Sequence, residues 1–278
     1  MNPSETNDLH GKSVLITGAS EGLGLAMVHA LIGRGARVIA LARDRAKLAA
    51  AEGLGAAVIA GDATDAALMR HAVRDQLPDV LILNAGARLP MKPIDELTWD
   101  EFSTTWNTDV KAGLVGIQAA LMHPMKAGGR ILIMSSGASM TLSVPQIEPE
   151  GLRLSGGYVG AKRMLWFMAH SANTVSRERG LGLHFQVLLP GQLMPGTALG
   201  HQVAAAYGAI EGVSPEEHVL RRYGSILRPS EVGEQVATLL ADPRYARGVA
   251  YAVRADRDLI PLDVSSTSLR EDMRPNDR

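Results

Sequence analysis

The sequence predicts a doubly wound α/β fold, a mostly parallel sheet of about seven strands flanked by helices, and three observations carry that expectation. Short runs in which every residue is apolar recur, as in Val14-Leu15-Ile16 and Val80-Leu81-Ile82-Leu83, the pattern of strands covered on both faces. Longer stretches between them place apolar residues at helical spacing, as in Leu23, Met27, Ala30 and Leu31. The two kinds of segment alternate, and a repeated strand-helix rhythm implies right-handed crossovers between parallel strands.

Taken in order, the first strand is 14–17, stopped by glycine, and a helix follows from Leu23. The second strand, 38–42, begins after the Gly33-Arg34-Gly35 break; a short helix at 45–51 leads to a third strand at 57–60. A helix at 65–76 precedes the fourth strand, 80–83. A long helical region spans 99–126, the fifth strand is 131–134, a helix covers 158–179, and the sixth strand is 183–189. No repeat, low-complexity tract or linker divides this rhythm, so one domain over 1–278 is expected. Residues 1–10 form a polar leader and 265–278 a polar tail. Two stretches depart from the pattern: 139–157, with Pro145, Pro149 and three glycines, and 191–224, rich in Gly, Ala and Pro. Both follow strands at their carboxyl ends, where open α/β sheets bind ligands, so both read as substrate-side loops.

Composition narrows the function classes. Apolar residues make up 46% and charged residues 21%, an ordinary globular balance. Lys+Arg total 28 against 29 Asp+Glu, so no positive excess invites a nucleic acid. The chain has no cysteine, which removes disulfides, thiolate metal sites and cysteine nucleophiles. His123, His170 and His184 have no ligand spacing with acidic partners, and no metal site is expected. No apolar run reaches the roughly 20 residues that span a bilayer, and the leader carries no basic and apolar signal regions. A cytoplasmic protein with no membrane partner is the expectation.

Two constellations carry chemistry. Thr17-Gly18-Ala19-Ser20-Glu21-Gly22-Leu23-Gly24 joins the first strand to the first helix. Glycines there let backbone approach a pyrophosphate, and the free N–H groups of a helix N-terminus favour its charge. The G-x-x-x-G-x-G spacing differs from the usual G-x-G-x-x-G, and a plain tight turn is the competing reading. The same residues match G-x-S-x-G, so a serine hydrolase using Ser20 is an alternative, requiring acid and histidine partners later in the chain. The second constellation is Tyr158 and Lys162. Four apart on a helix, they share a face, and an ammonium beside a phenol favours its ionised form, which suits proton exchange near neutral pH. For an isolated pair, an amphipathic helix with a snorkelling lysine and a half-buried tyrosine is the better explanation.

Together these residues resemble the short-chain dehydrogenase/reductase family over nearly the whole chain, from Gly11 to about Val253. Thr17 to Gly24 is similar to the family's TGxxxGxG cofactor turn, Asn84-Ala85-Gly86 to its NAG motif, and Tyr158 to Lys162 to its YxxxK pair. Asn107 falls at the helix-kink Asn, Ser136 at the catalytic Ser, with neighbouring Ser135 a rival, and Pro190-Gly191 at the PG turn. The resemblance implies a Rossmann-type fold and an enzyme moving hydride between a nicotinamide and a small carbonyl or alcohol. Tyr158 would exchange the proton, Ser136 would hold the reacting oxygen, Lys162 would tune the phenol and grip the nicotinamide ribose, and Asn107 would hold a relaying water. It also implies homodimers or homotetramers built on the helices near 99–126 and 158–179. A dinucleotide-bound sensor without catalysis uses the same fold, but needs no proton donor.

Cofactor choice is read at the end of the second strand. An acid there binds the 2′-hydroxyl of NAD, whereas a base neutralises the 2′-phosphate of NADP. Ala42 stands at the acidic position and Arg43 beside it, with Ser20 a second phosphate contact, which favours NADP(H) over NAD(H). Glu21 opposes this, since its charge repels a phosphate unless it points away, and a solvated Arg43 paired to a carboxylate is the plain alternative. Asp62, with Ala63 after it, resembles the residue that accepts from the adenine amino group; capping the next helix is its other reading.

The chain also departs from the pattern. Ser136 and Tyr158 lie 22 positions apart, more than is usual, which places a lid or pocket wall in 139–157. Thr197 follows Pro190-Gly191 across a longer spacer than usual, which leaves either Thr197 or the backbone of Leu193 to contact the cofactor's amide. Met91, Leu142, Val144, Leu193, Met194 and Leu199 fall in segments expected at the cleft and suit an apolar substrate portion or simple lid packing.

Overall fold

The computed structural model describes residues 9–123, 125–140, 154, 156–255 and 257–262. Among the described residues eight strands form one sheet: β1 Ser13–Thr17, β2 Arg37–Ala42, β3 Ala57–Ala60, β4 Val80–Leu83, β5 Arg130–Met134, β6 His184–Pro190, β7 Ala250–Arg254 and β8 Arg257–Pro261. Their spatial order is β3-β2-β1-β4-β5-β6-β7-β8. The first seven pair in parallel, with Leu15 opposite Ile39 on one side and Leu81 on the other, and only β8 runs antiparallel, on β7.

The wholly apolar strands are explained by two cores, one on each face. Along β1, Val14 and Ile16 point to one and Leu15 to the other; along β5, Leu132 and Met134 alternate with Ile131 and Ile133. The first face is covered by α1 Gly22–Gly33 and α9 Pro229–Ala241, through Met27, Leu31, Val232 and Val236. The second is covered by α3 Ala66–Gln76, α5 Lys111–Met122 and α6 Gly156–Glu178, through Met69, Val73, Ile117 and Leu165. A short α2, Ala49–Gly53, adds Ala51 to the first core.

Arg130 braces the far end of β5. Its guanidinium donates to the Gln186 side chain at 2.9 Å and to the Leu239 and Leu240 carbonyls at 3.0 and 2.9 Å, joining β5, β6 and the end of α9. Burial pushes this group down to about 10, against the pull of Tyr251.

The doubly wound, mostly parallel sheet expected from the sequence is what the described residues form, with seven parallel strands and an antiparallel eighth, β8, added on β7. Two expectations are corrected. The helix at 99–126 is interrupted: α4 Trp99–Thr105, opened by a Thr98–Glu101 capping box, passes through a π-helical turn at Trp106–Val110 before α5. The stretch 191–224 is largely helical, with α7 Ala198–Glu211 and α8 Pro215–Tyr223. Its glycines and polar residues are helix punctuation. Thr197 and Ser214 cap the two N-termini, Pro215 opens α8, and Gly212 and Gly224 end the helices in left-handed geometry. Leu142, Val144 and most of the expected lid at 139–157 lie outside the described residues, as do 1–8 and the tail from 263.

Candidate active site

The order β2-β1-β4 places the β1–α1 turn beside the loop that follows β4, a reversal of strand order that opens a crevice at the carboxyl edge. Thr17 and Asn84 tie its two walls together. Thr17 Oγ1 accepts the N–H groups of Asn84 and Ala85 at 3.0 and 3.2 Å, and Asn84 Nδ2 donates to the carbonyls of Thr17 and Gly18 at 3.2 and 3.1 Å. The turn itself is a backbone cradle. Gly18 sits at φ +67°, where a Cβ would lie 2.8 Å from Ala85 Cα, and a Cβ on Gly24 would lie 2.0 Å from the Gly18 carbonyl oxygen. Only glycine fits either position, so N–H groups and not side chains line the start of α1, as a pyrophosphate requires. The residues present therefore fit a dinucleotide.

Across the crevice, α6 brings Tyr158 and Lys162 onto one face, with Lys162 Nζ 5.6 Å from the Tyr158 ring centre. Lys162 is buried, and its ammonium reaches Asp109 Oδ2 at 3.0 Å and the Met134 carbonyl at 3.4 Å. Burial alone would lower the lysine, but the Asp109 carboxylate, Tyr158 and the hydrogen bond to Asp109 hold it above the usual lysine range. Asp109 Oδ1 also accepts the Ala87 N–H at 2.8 Å, just past Asn84-Ala85-Gly86.

Asn107 is not brought together with this pair. Its side chain is exposed and donates to Ser103 Oγ at 3.2 Å, whereas Asp109, two residues on, enters the site. The helical face was the available signal. Asp109 lines up with buried Ala112, Gly113 and Gly116, while Asn107 lines up with exposed Lys111 and Leu114.

Ser135 and Ser136 end β5 with different partners. Ser135 is buried and donates to the Lys162 carbonyl at 2.8 Å, a strut between β5 and α6. Ser136 is half-buried, and its Oγ accepts the Ala138 N–H at 3.2 Å. Gly191 donates to the Val253 carbonyl at 2.8 Å and packs where Gly137 has no side chain. Thr197 caps α7 through the Gly200 N–H at 2.9 Å, and its methyl end lies 3.7 Å from the position of a Cβ on Gly22. The start of α7 thus meets the glycine turn. Further along, Gln202 donates to the Leu89 carbonyl at 2.7 Å, and Tyr207 Oη accepts the Leu154 N–H at 3.1 Å, so α7 ties three loops together. Leu193, Met194, Leu199 and Met91 are half-buried around it. Gln192, not singled out in the sequence, is buried and clamps Ser225 and the Ala255 N–H.

At the far end of the crevice, Arg43 is exposed beyond β2. Glu21 is turned onto Lys47, Oε2 to Nζ 2.8 Å, and Ser20 lies half-buried beside it. Asp62 accepts the Thr64 N–H at 2.8 Å. That bond, with help from Arg43, holds its carboxyl below the usual range despite partial burial. Asp62 does not cap the next helix: Asp65 does, through Ala67 and Leu68. Ala63 is buried next to it.

No helix among the described residues is long and apolar enough to cross a membrane, and no cluster of possible metal ligands occurs among them.

The sequence profile described as short chain dehydrogenase matches residues 12–147. Oxidoreductase asL5 of Sarocladium schorii is 28% identical over 266 residues, spanning 91% of this chain and 98% of its own. A sorbitol dehydrogenase of Cereibacter sphaeroides is 31% identical over 191 residues, 66% of this chain and 71% of its own. The fold also matches an L-sorbose reductase from Gluconobacter frateurii complexed with NADPH and L-sorbose, with a TM-score of 0.70 at 21% identity over 93% of this chain and 99% of that one. A 3-ketoacyl-(acyl-carrier-protein) reductase from Brucella melitensis complexed with NADH matches with a TM-score of 0.70 at 21% identity, over 90% and 99%. With its eight-stranded doubly wound sheet and this sequence kinship, the chain belongs to the short-chain dehydrogenase/reductase family.

Proposed function

We propose that the chain is an NADP(H)-dependent oxidoreductase that interconverts a small carbonyl compound and its alcohol, with Tyr158 as general acid and base. The observation that carries this reading is the charged, buried Lys162 on the same face of α6 as Tyr158, across the crevice from the glycine cradle. Lys162's ammonium stabilises negative charge on the phenol oxygen, which lets Tyr158 give a proton to a carbonyl oxygen or take it from an alcohol. Ser136, whose hydroxyl lies at the end of β5, hydrogen-bonds the same oxygen, while Ser135 is committed to the Lys162 carbonyl.

A bound nicotinamide supplies the hydride chemistry. The N–H groups of Ser20 to Gly24 would hold its pyrophosphate, with Asn84, Ala85 and Gly86 beside the ribose. Asp62 and Ala63 would serve the adenine, Lys162 the nicotinamide ribose, and Pro190, Gly191, Leu193 and Thr197 the amide. Half-buried Met91, Leu193, Met194 and Leu199 favour an apolar substrate portion. A sensor without catalysis has no use for the Tyr158–Lys162 pair.

The preference for NADP(H) rests on Arg43 together with the pairing of Glu21 to Lys47, which offsets part of the repulsion the sequence suggested. Arg43→Ala should weaken NADPH binding about tenfold, the worth of one charge-assisted contact to phosphate, and leave NADH unchanged. Equal effects on the two cofactors, or none on either, would overturn the preference.

A further inference from the structure

We propose that Asp109 is a positioning residue that holds Lys162 as a buried counter-ion and sets the pH range over which Tyr158 exchanges its proton. This rests on the roles given above to Tyr158 and Lys162. The placement of the carboxylate is specific: its side chain is 1% exposed, Oδ2 meets Lys162 Nζ at 3.0 Å, and Oδ1 accepts the Ala87 N–H at 2.8 Å. Gly86 leaves room for it, since a Cβ there would stand 3.0 Å from Oδ2. The π-helical turn at Trp106–Val110 delivers the residue, with the Lys111 N–H reaching back to the Trp106 carbonyl. Widened turns of this kind re-aim one side chain within a helix.

Among the described residues, the charges acting on Lys162 are Asp109 and Tyr158. The other elements packed on α6 turn their titratable groups elsewhere: in β6, His184 stands at the first residue of the strand with its ring on the Gly248 carbonyl at 3.1 Å. Arg163, on α6 itself, turns its guanidinium to the Ser139 carbonyl at 2.9 Å. In α4, Asp100 and Glu101 sit in the exposed first turn, where Glu101 is held by Lys92. In α5, Lys111 is exposed and acts on Asp62. β5 offers the Met134 carbonyl, and Arg130 lies at its opposite end, bound to Gln186. The phenol therefore faces an ammonium whose charge is largely cancelled one contact away. With a neutral amide in place of Asp109, the phenol and the ammonium lose their shared counter-charge, so the pair releases its first proton at lower pH, and the tyrosinate signal reports the part of that proton that leaves Tyr158.

The test is a spectroscopic titration of tyrosinate in the ligand-free chain, with the Tyr158 signal isolated by subtracting the Tyr158→Phe variant. Asp109→Asn should shift the Tyr158 midpoint about one pH unit lower, and Asp109→Glu, which keeps the charge, should restore it. If Asp109→Asn does not fold, Asp109→Ser provides the same loss of charge in a smaller side chain and should shift the midpoint the same way. A midpoint that stays in place in the neutral variants overturns the proposal and leaves Asp109 a structural tie. The pH profile of carbonyl turnover is measured separately. A shifted titration in a chain that turns over no carbonyl or alcohol overturns the function proposed above while upholding the placement of Asp109. An unshifted titration in an active enzyme does the reverse.

Discussion

Replacing Tyr158 with Phe is expected to lower turnover about a thousandfold, the usual contribution of a positioned general acid, while dinucleotide affinity stays unchanged. The substitution removes one hydroxyl and keeps the ring over which Lys162 lies, 5.6 Å from its centre, so the ammonium, Asp109 and the Met134 carbonyl keep their arrangement. Under the proposed function the β1–α1 cradle, braced by the clamp between Thr17 and Asn84, would hold the cofactor's pyrophosphate, and Lys162, which would hold its ribose, is retained. Steady-state kinetics and calorimetric binding on the same preparation separate the two effects. Retention of turnover would assign the proton to another group and remove the chemical core of the proposed function.

The second large effect is expected at Lys162. Lys162→Met keeps most of the stem's volume but leaves the Asp109 carboxylate buried without its counter-ion, and breaking such a pair from one side costs about 3–5 kcal/mol. Both partners are well buried, with side chains 8% and 1% exposed, so solvent does little to soften the loss. The variant should also lose turnover, since nothing else on α6 places a cation at the phenol. Because pairing with Asp109 holds the lysine above the usual range in the folded chain, its contribution to stability is complete at neutral pH. It fades only as the pH rises past about 10 and through the folded value. Urea unfolding of the native and variant chains measures the difference at neutral pH, and a gap well under 1 kcal/mol would mean the pair contributes little to the fold.

The parts legible in the sequence were those where local pattern and global fold agree. Strands such as Val80–Leu83 are apolar throughout because both faces of the sheet are covered, and that pattern needs no tertiary information. The glycine turn was legible because a steric requirement, the close approach of Gly24 to the Gly18 carbonyl, is written in residue type. The helices of 191–224 were missed because Gly, Thr, Ser and Pro mark helix ends as readily as loops, and Gly212, Ser214 and Pro215 do so in close succession. Asp109 was missed for a different reason. An Asn two positions earlier matched the expected residue type, and which of the two faces inward depends on the helix's register and its widened turn. Glu21 illustrates a third limit, since its bearing on a phosphate turns on Lys47, 26 residues away in sequence but 2.8 Å away in space.

The most direct measurement of whether this crevice is a dinucleotide site is a calorimetric titration of the native chain with NADPH and with NADH in parallel. One NADPH bound per chain, more tightly than NADH, is the expected result. Binding of neither cofactor would contradict the proposed function at its root and leave the glycine turn as a piece of fold alone.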